Sequence, residues 1–460
     1  MGEWGVNPQR LMTLLARERS EHHRRNPRAL ALADAPHLLG GVPMTWMNKW
    51  YGGFPLILDQ AHGNRVRTID GHEYLDLALG DTGAMAGHSP APVVAAVLER
   101  FGTRGGATTM LPTEDAAPVA AELAHRFGLP RWSFTLTATD ANRWALRIAR
   151  HLTGRQRILA FAYGYHGSVD ETLVIAGSAG RTLSRPGNVG APNPVDATTR
   201  VAEFNDEQSV LAALRHGDIA CIITEPALTN IGIVLPEPGF LEFLRAEATA
   251  HGALLLIDET HTISAGPGGA TAAWGLQPDI VTIGKAIGGG IPAGAYGLSA
   301  DLAERILGSG DADLVDVGGV GGTLAGNALS VAAMRATLTQ VLTDEAFTGM
   351  IACADQFTAG VAETLARTGV PWSITQLGAR AEYRFTHPAP RTGTAAALAG
   401  DDGLDEYLHL FMANRGVLMT PFHNMALMCP ATTLADVAVH TRLFADAVAD
   451  LIGTHPTSPG

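Results

Sequence analysis

Leu254-Leu255-Leu256-Ile257-Asp258-Glu259-Thr260-His261 and Asp279-Ile280-Val281-Thr282-Ile283-Gly284-Lys285 are the two stretches that decide the fold. Each is a short apolar run that ends on charged or polar residues. Apolar runs without alternation are what strands need when helices cover both faces of a parallel sheet. Asp258 and Lys285 lie 27 positions apart, which fits one crossover between parallel strands. Ligands bind such sheets at the carboxyl ends of the strands. Asp258 and Lys285 are therefore the first candidates for chemistry. Ala286-Ile287-Gly288-Gly289-Gly290 after the lysine is unlike the solvated setting of a surface lysine, although a plain strand-end lysine is the structural alternative.

The alternation continues on either side. Residues 132–136, Arg157–Phe161 and Ile219–Thr224 read as further strands, and residues 93–100, 115–127, 141–152 and 240–250 as helices. Residues 264–275 read as a Gly-rich loop, and 186–194 as a Gly/Pro/Asn-rich loop. The expected class is α/β, with a mostly parallel central sheet. Upstream, Asn7-Pro8 starts a helix, with Asn as N-cap, Pro at the first position and a stripe of Leu11, Leu14 and Leu15. Strands are expected at 56–58, 66–69 and 74–77, with a hairpin turn at Asp70-Gly71. The expected organisation is an N-terminal segment (1–85), a large α/β domain (86–328) and a C-terminal part (329–460). The N- and C-terminal parts together form a smaller α+β domain.

The 460 residues are 46% hydrophobic and 17% charged, which suits a soluble enzyme subunit with a large core. A net charge of −13 argues against general nucleic-acid binding, which needs clustered Lys and Arg. Cys221, Cys353 and Cys429 are too few and too scattered for a disulfide framework or a CxxC metal site. Arg10, Arg17, Glu18 and Arg19 break any signal-like apolar run, and no stretch approaches the ~20 apolar residues that span a bilayer. A cytoplasmic protein without metal, membrane or nucleic-acid partner is expected. Gly284-Lys285 is not a nucleotide-binding P-loop, since Asp279 and Ala286 stand where Gly and Ser or Thr belong. Glu259 and His261 do not make an H-E-x-x-H zinc helix.

The segment from Thr282 through Lys285 and Gly288-Gly289-Gly290 to Pro292 resembles the cofactor-lysine motif of class III aminotransferases, and Ile257-Asp258-Glu259 their aspartate motif. Gly40-Gly41-Val42, Asp70-Gly71 through Asp76, Gly87-His88-Ser89-Pro90, Glu225-Pro226, and Gly322-Thr323 with Gly326-Asn327 follow in the order of the glutamate-1-semialdehyde aminomutase-like branch. The resemblance covers roughly residues 35 to 440. It implies fold type I, a homodimer with shared active sites, and pyridoxal 5'-phosphate held on Lys285 as a Schiff base. Asp258 would keep the pyridine nitrogen protonated, so that the ring accepts electrons. The lysine, once displaced by an amine, would be the base that moves a proton between Cα and C4′.

By the same resemblance, Thr137, Ala138 and Thr139 form the phosphate turn at a helix N-terminus. Ala138 stands where relatives have Gly, so this turn must work without positive φ. A simple N-cap by Thr139 or Asp140 is the structural alternative. Thr323 is the expected second phosphate contact, from the neighbouring subunit. Tyr165 would stack on the ring, Thr260 pack beneath it, His261 meet the 3′-oxygen and Glu225 orient the site. The branch usually places a carboxylate-binding Arg near Met47. Trp46, Met47 and Lys49 are the substrate candidates here. Arg380, Arg384 and Arg415 are alternative clamps, each also readable as an ion-pair arginine. The expected activity is ping-pong transfer of an amino group from an amine or amino acid to a keto acid, aldehyde or ketone. Alternatives are a 2,1-aminomutase-like isomerase, a racemase or a lyase.

Overall fold

A computed structural model describes residues 4–189, 194–308 and 319–453. Part of the 186–194 stretch therefore lies outside the described residues. The frame is a seven-stranded sheet. In spatial order its strands are Arg131–Thr135, Gly294–Leu298, Ile280–Gly284, Leu254–Asp258, Ile219–Thr224, Arg157–Phe161 and Thr199–Ala202. Leu254–Asp258 pairs in parallel with both neighbours, and so does Arg157–Phe161. Gly294–Leu298 alone runs against its neighbours. All residues of the three central strands are buried, which is why their sequences read as unbroken apolar runs.

Two of these strands have no counterpart among the expected ones. Gly294-Ala295-Tyr296-Gly297-Leu298 contains no β-branched residue and so carries a weak strand signal. Its small residues answer its neighbours: a Cβ at Gly297 would sit 2.6 Å from the Trp132 ring. Thr199–Ala202 is a short edge strand of four residues. The 264–275 stretch is not all loop, for it contains the helix Gly269–Ala273. The buried Glu259 carboxylate fixes it by accepting from Ala270 N and Thr271 N. That contact between distant positions is invisible to local propensity.

The helix Ala138–Thr153 packs across the sheet and begins at the carboxyl edge of Arg131–Thr135. Away from the large sheet, Leu58–His62, Arg65–Thr68 and Glu73–Asp76 form an antiparallel meander. Val417–Leu418 adds to it in parallel. A three-stranded sheet of Ser373–Leu377, Arg380–Arg384 and Met425–Leu427 is covered by the helices Asp344–Thr368 and Leu434–Ile452. The first helix, Pro8–Arg25, starts as expected, with Asn7 accepting from Gln9 N and Arg10 N. Among the described residues no helix is long and apolar enough to cross a membrane.

Candidate active site

A cavity of about 340 Å³ opens at the carboxyl edge of the large sheet, within the size range of small-ligand sites. Trp46, Thr137, Ala138, Thr139, Tyr165, Asp258, Thr260, His261 and Lys285 all line it. Residues up to 239 positions apart in the chain thus meet because their strands end at one edge.

Asp258 is the last residue of its strand and is 3% exposed. Its Oδ2 accepts from Asn142 Nδ2 at 2.8 Å and lies 2.9 Å from His166 Nδ1. Its Oδ1 accepts from Thr260 N at 3.0 Å. Asn142 is itself held, because its Oδ1 accepts from Thr282 Oγ1 at 2.6 Å. Burial pushes the Asp258 carboxyl up, but His166, Thr260 and Asn142 together bring it below the ordinary carboxylate range. Asp258 is therefore a fixed anion pointing into the cavity.

Lys285 follows the strand Ile280–Gly284 with φ of +50°. Its Nζ donates to Asp81 Oδ2 at 3.0 Å and lies 2.7 Å from His261 Nε2. Burial first, then the charge of Lys285, lowers the His261 imidazole well below its usual range. The ring is thus neutral, and its Nε2 accepts from the lysine. Its Nδ1 then donates to Thr82 Oγ1 at 2.9 Å, which also accepts from Arg380 Nη2 at 2.5 Å. His261 is accordingly seated against the lysine amine.

Thr137 is the N-cap of Ala138–Thr153 and accepts from Asp140 N. Helix geometry leaves the other first-turn N–H groups without an intrahelical acceptor. Ala138 is the first helical residue and needs no positive φ, as its replacement of Gly requires. The strand end comes close to this turn: a Cβ on Gly284 would stand 2.8 Å from Ala138 N. Gly167, with φ of +79°, lets the Tyr165–Ser168 loop approach the same turn, and a Cβ there would overlap Thr139. The chain thus presents hydroxyls and amides at the positive end of a helix, a setting for an anion such as phosphate.

Thr260 lines the cavity, and its buried Oγ1 makes no hydrogen bond of normal geometry. Such an orphan is rare in a folded chain and fits a polar group bound in the cavity. The Tyr165 ring lies beside the Trp46 ring, centroids 5.7 Å apart. Glu225 does not line the cavity but accepts from Tyr165 N at 3.3 Å and from the Thr229 hydroxyl. It bears on the site through Tyr165.

The remaining candidates fall elsewhere. Met47 and Lys49 are exposed and do not line the cavity, although Trp46 beside them does. Thr323 is exposed and away from the cavity of its own chain. Arg415 pairs with Glu18 at 3.0 Å, and Arg384 donates to Ala396 O. Arg380 is fully buried behind His261. Among the described residues no arginine lines the cavity.

The sequence reading missed Asp81, Thr82 and the part played by His166. It also passed over one signal that singles out the lysine. The chain has two lysines, Lys49 and Lys285, and arginine carries the rest of its positive charge.

A strand-end lysine, a buried aspartate and a helix N-terminus around one cavity define an enzyme of the pyridoxal phosphate class. The family profile described as Aminotransferase class-III matches residues 46–446. The chain belongs to the class III aminotransferases, with pyridoxal phosphate as cofactor. It is 34% identical over 403 residues to glutamate-1-semialdehyde 2,1-aminomutase 2 of Bacillus licheniformis, covering 86% of this chain and 91% of that one. A glutamate-1-semialdehyde aminomutase of Pseudomonas aeruginosa PAO1, solved as a lysine-to-alanine variant with PMP, is 46% identical. It superposes with a TM-score of 0.94 over 97% of this chain and 100% of that one. A β-phenylalanine aminotransferase from Variovorax paradoxus is 28% identical with a TM-score of 0.84, covering 97% and 98% of the two chains.

Proposed function

We propose that this chain uses pyridoxal phosphate on Lys285 to move an amino group between positions of one carbon skeleton, as a 2,1-aminomutase does. The observation that carries the reading is the meeting of Lys285, the Asp258 carboxylate and the Thr137–Thr139 turn in one cavity. The 46% identity to an aminomutase supports this type of transfer. The cofactor supplies an aldehyde for the amine and a ring that accepts electrons.

In this reading Lys285 Nζ takes the proton from the substrate carbon and returns it at the neighbouring site. Asp258 holds a proton on the ring nitrogen. Thr137, Ala138 and Thr139 hold the phosphate, and Thr260 Oγ1 gains the partner it lacks. Tyr165 covers the ring, Glu225 supports Tyr165, and His261 stays close to the lysine amine. Thr323 reaches the phosphate of a second copy, which makes the working unit a homodimer with shared sites. The segments 1–85 and 329–460 flank the cofactor-binding part, 86–328. Three free, buried cysteines suit a reducing cytoplasm.

One observation favours intermolecular transfer to a separate keto acid, aldehyde or ketone. Met47 stands where an arginine would meet the carboxylate of glutamate semialdehyde, and it does not line the cavity. The test is to give holoenzyme glutamate 1-semialdehyde with no acceptor. Isomerisation supports the aminomutase. Consumption of a donor amine only when an acceptor is added supports the ping-pong reading. A protein that takes up no pyridoxal phosphate would sink both.

A further inference from the structure

The Asp81 carboxylate was not among the expected site residues, yet it makes the closest charged contact of the lysine. The segment that carries it is unusual. Leu79, Gly80, Asp81 and Thr82 have φ of 44°, 57°, 50° and 81°, four left-handed residues in succession. Only Gly adopts this without cost, and strained backbone of this kind gathers at functional sites.

The segment is anchored on its N-terminal side. Asp76 Oδ1 accepts from Ala78 N at 2.8 Å and from Leu79 N at 3.0 Å, while its Oδ2 lies 2.7 Å from His88 Nε2. Leu77 N donates to Leu418 O. The result is that Asp81 points at Lys285, and the next residue, Thr82, points at His261 and Arg380. Lys285 is itself left-handed, so both partners of the 3.0 Å pair occupy strained backbone.

We propose that Asp81 is a positioning residue for Lys285: it receives the lysine's ammonium whenever the amine is free of the cofactor, and so sets where the mobile proton waits. This rests on the reading of Lys285 as the cofactor lysine. The C–H bond of the substrate breaks and an N–H bond forms on Lys285. The ammonium donates to Asp81 and to His261 Nε2, then gives its proton up as the new C–H bond forms. Asp81 keeps its charge throughout and takes no proton. Burial raises its carboxyl, but Lys285, with His423 and Arg380, outweighs that and holds it well below the ordinary range. His261 is the neutral second acceptor, so among the described residues Asp81 is the anion that faces the ammonium at contact distance.

The experiment uses the two lysines. Cofactor-free protein is treated with trinitrobenzenesulfonate, which reacts with neutral amines, across a series of pH values. Labelling of Lys285 and of exposed Lys49 is read by peptide mass spectrometry, Lys49 serving as internal standard. Asn and Gly both tolerate the left-handed backbone at position 81. Asp81→Asn and Asp81→Gly should therefore keep the loop and remove only the charge.

Without the anion, the ammonium is less favoured. The Lys285-to-Lys49 labelling ratio near neutral pH should rise about tenfold in both variants, from the low end of the effect of a contacting opposite charge. An unchanged ratio in either variant, with wild-type protein that loads pyridoxal phosphate normally, overturns the role of Asp81 and leaves Lys285 in place. A Lys285→Ala variant that still binds the cofactor covalently overturns the reading beneath it.

Discussion

His166 Nδ1 lies 2.9 Å from Asp258 Oδ2, and both side chains are at most 3% exposed. The contact joins the loop after Arg157–Phe161 to the strand Leu254–Asp258, and Asn142 closes the group from the helix Ala138–Thr153. A buried anion that loses one partner is costly, because its desolvation is no longer offset. His166→Ala should lower stability by about 3 kcal/mol or more. The double variant with Asp258→Asn should cost less than the sum of the single changes. Chemical denaturation of the four proteins gives the coupling, and simple additivity would contradict the pairing.

Asp258→Asn removes the anion from the cavity while Asn142, His166 and Thr260 remain around it. The fold should survive, and proton removal from substrate should slow in single-turnover kinetics. A near-normal rate would count against Asp258 as the partner of the ring nitrogen.

Glu225 gives a pH dependence. Burial, with a smaller opposing contribution from His166 and Thr229, pushes its carboxyl up to about 7. Its folded value lies above its unfolded one, so its contribution is fully present below the unfolded value, about 4.3. It is lost as pH rises through about 7. Wild-type stability should fall between pH 5 and 8 by an amount that Glu225→Gln largely removes, on the order of 1–3 kcal/mol. Equal pH slopes for the two proteins would contradict this.

Gly167 sits at φ of +79° against Thr139. Gly167→Ala forces a Cβ into that contact and strains the backbone, at a cost of about 1–3 kcal/mol. It should also weaken cofactor retention, measured as the half-life of the holo absorbance during dialysis. Thr139→Gly in the same chain should restore part of the stability, since it opens the space.

The central strands were legible because burial on both faces leaves an unbroken apolar run, as in Ile219–Thr224 and Ile280–Gly284. Lys285 and Asp258 were legible because each ends such a strand. Gly294–Leu298 was not, because its small residues answer Trp132 rather than any local preference. Asp81 was hidden for a similar reason. Its approach to Lys285 depends on four left-handed residues and on Asp76 bonding back to Ala78 and Leu79, and none of that has a periodic signature. Arg380 read as a surface or ion-pair residue, yet it is buried behind His261 and met by Thr82.

The central claim is that Lys285 carries the cofactor. Borohydride reduction of the holoenzyme followed by peptide mass spectrometry tests it directly, with only two lysines to distinguish. The account predicts one reduced pyridoxyl phosphate group, on the peptide containing Lys285 and absent from that containing Lys49. A label on Lys49, or a yellow holoenzyme that yields no labelled lysine peptide, would contradict it.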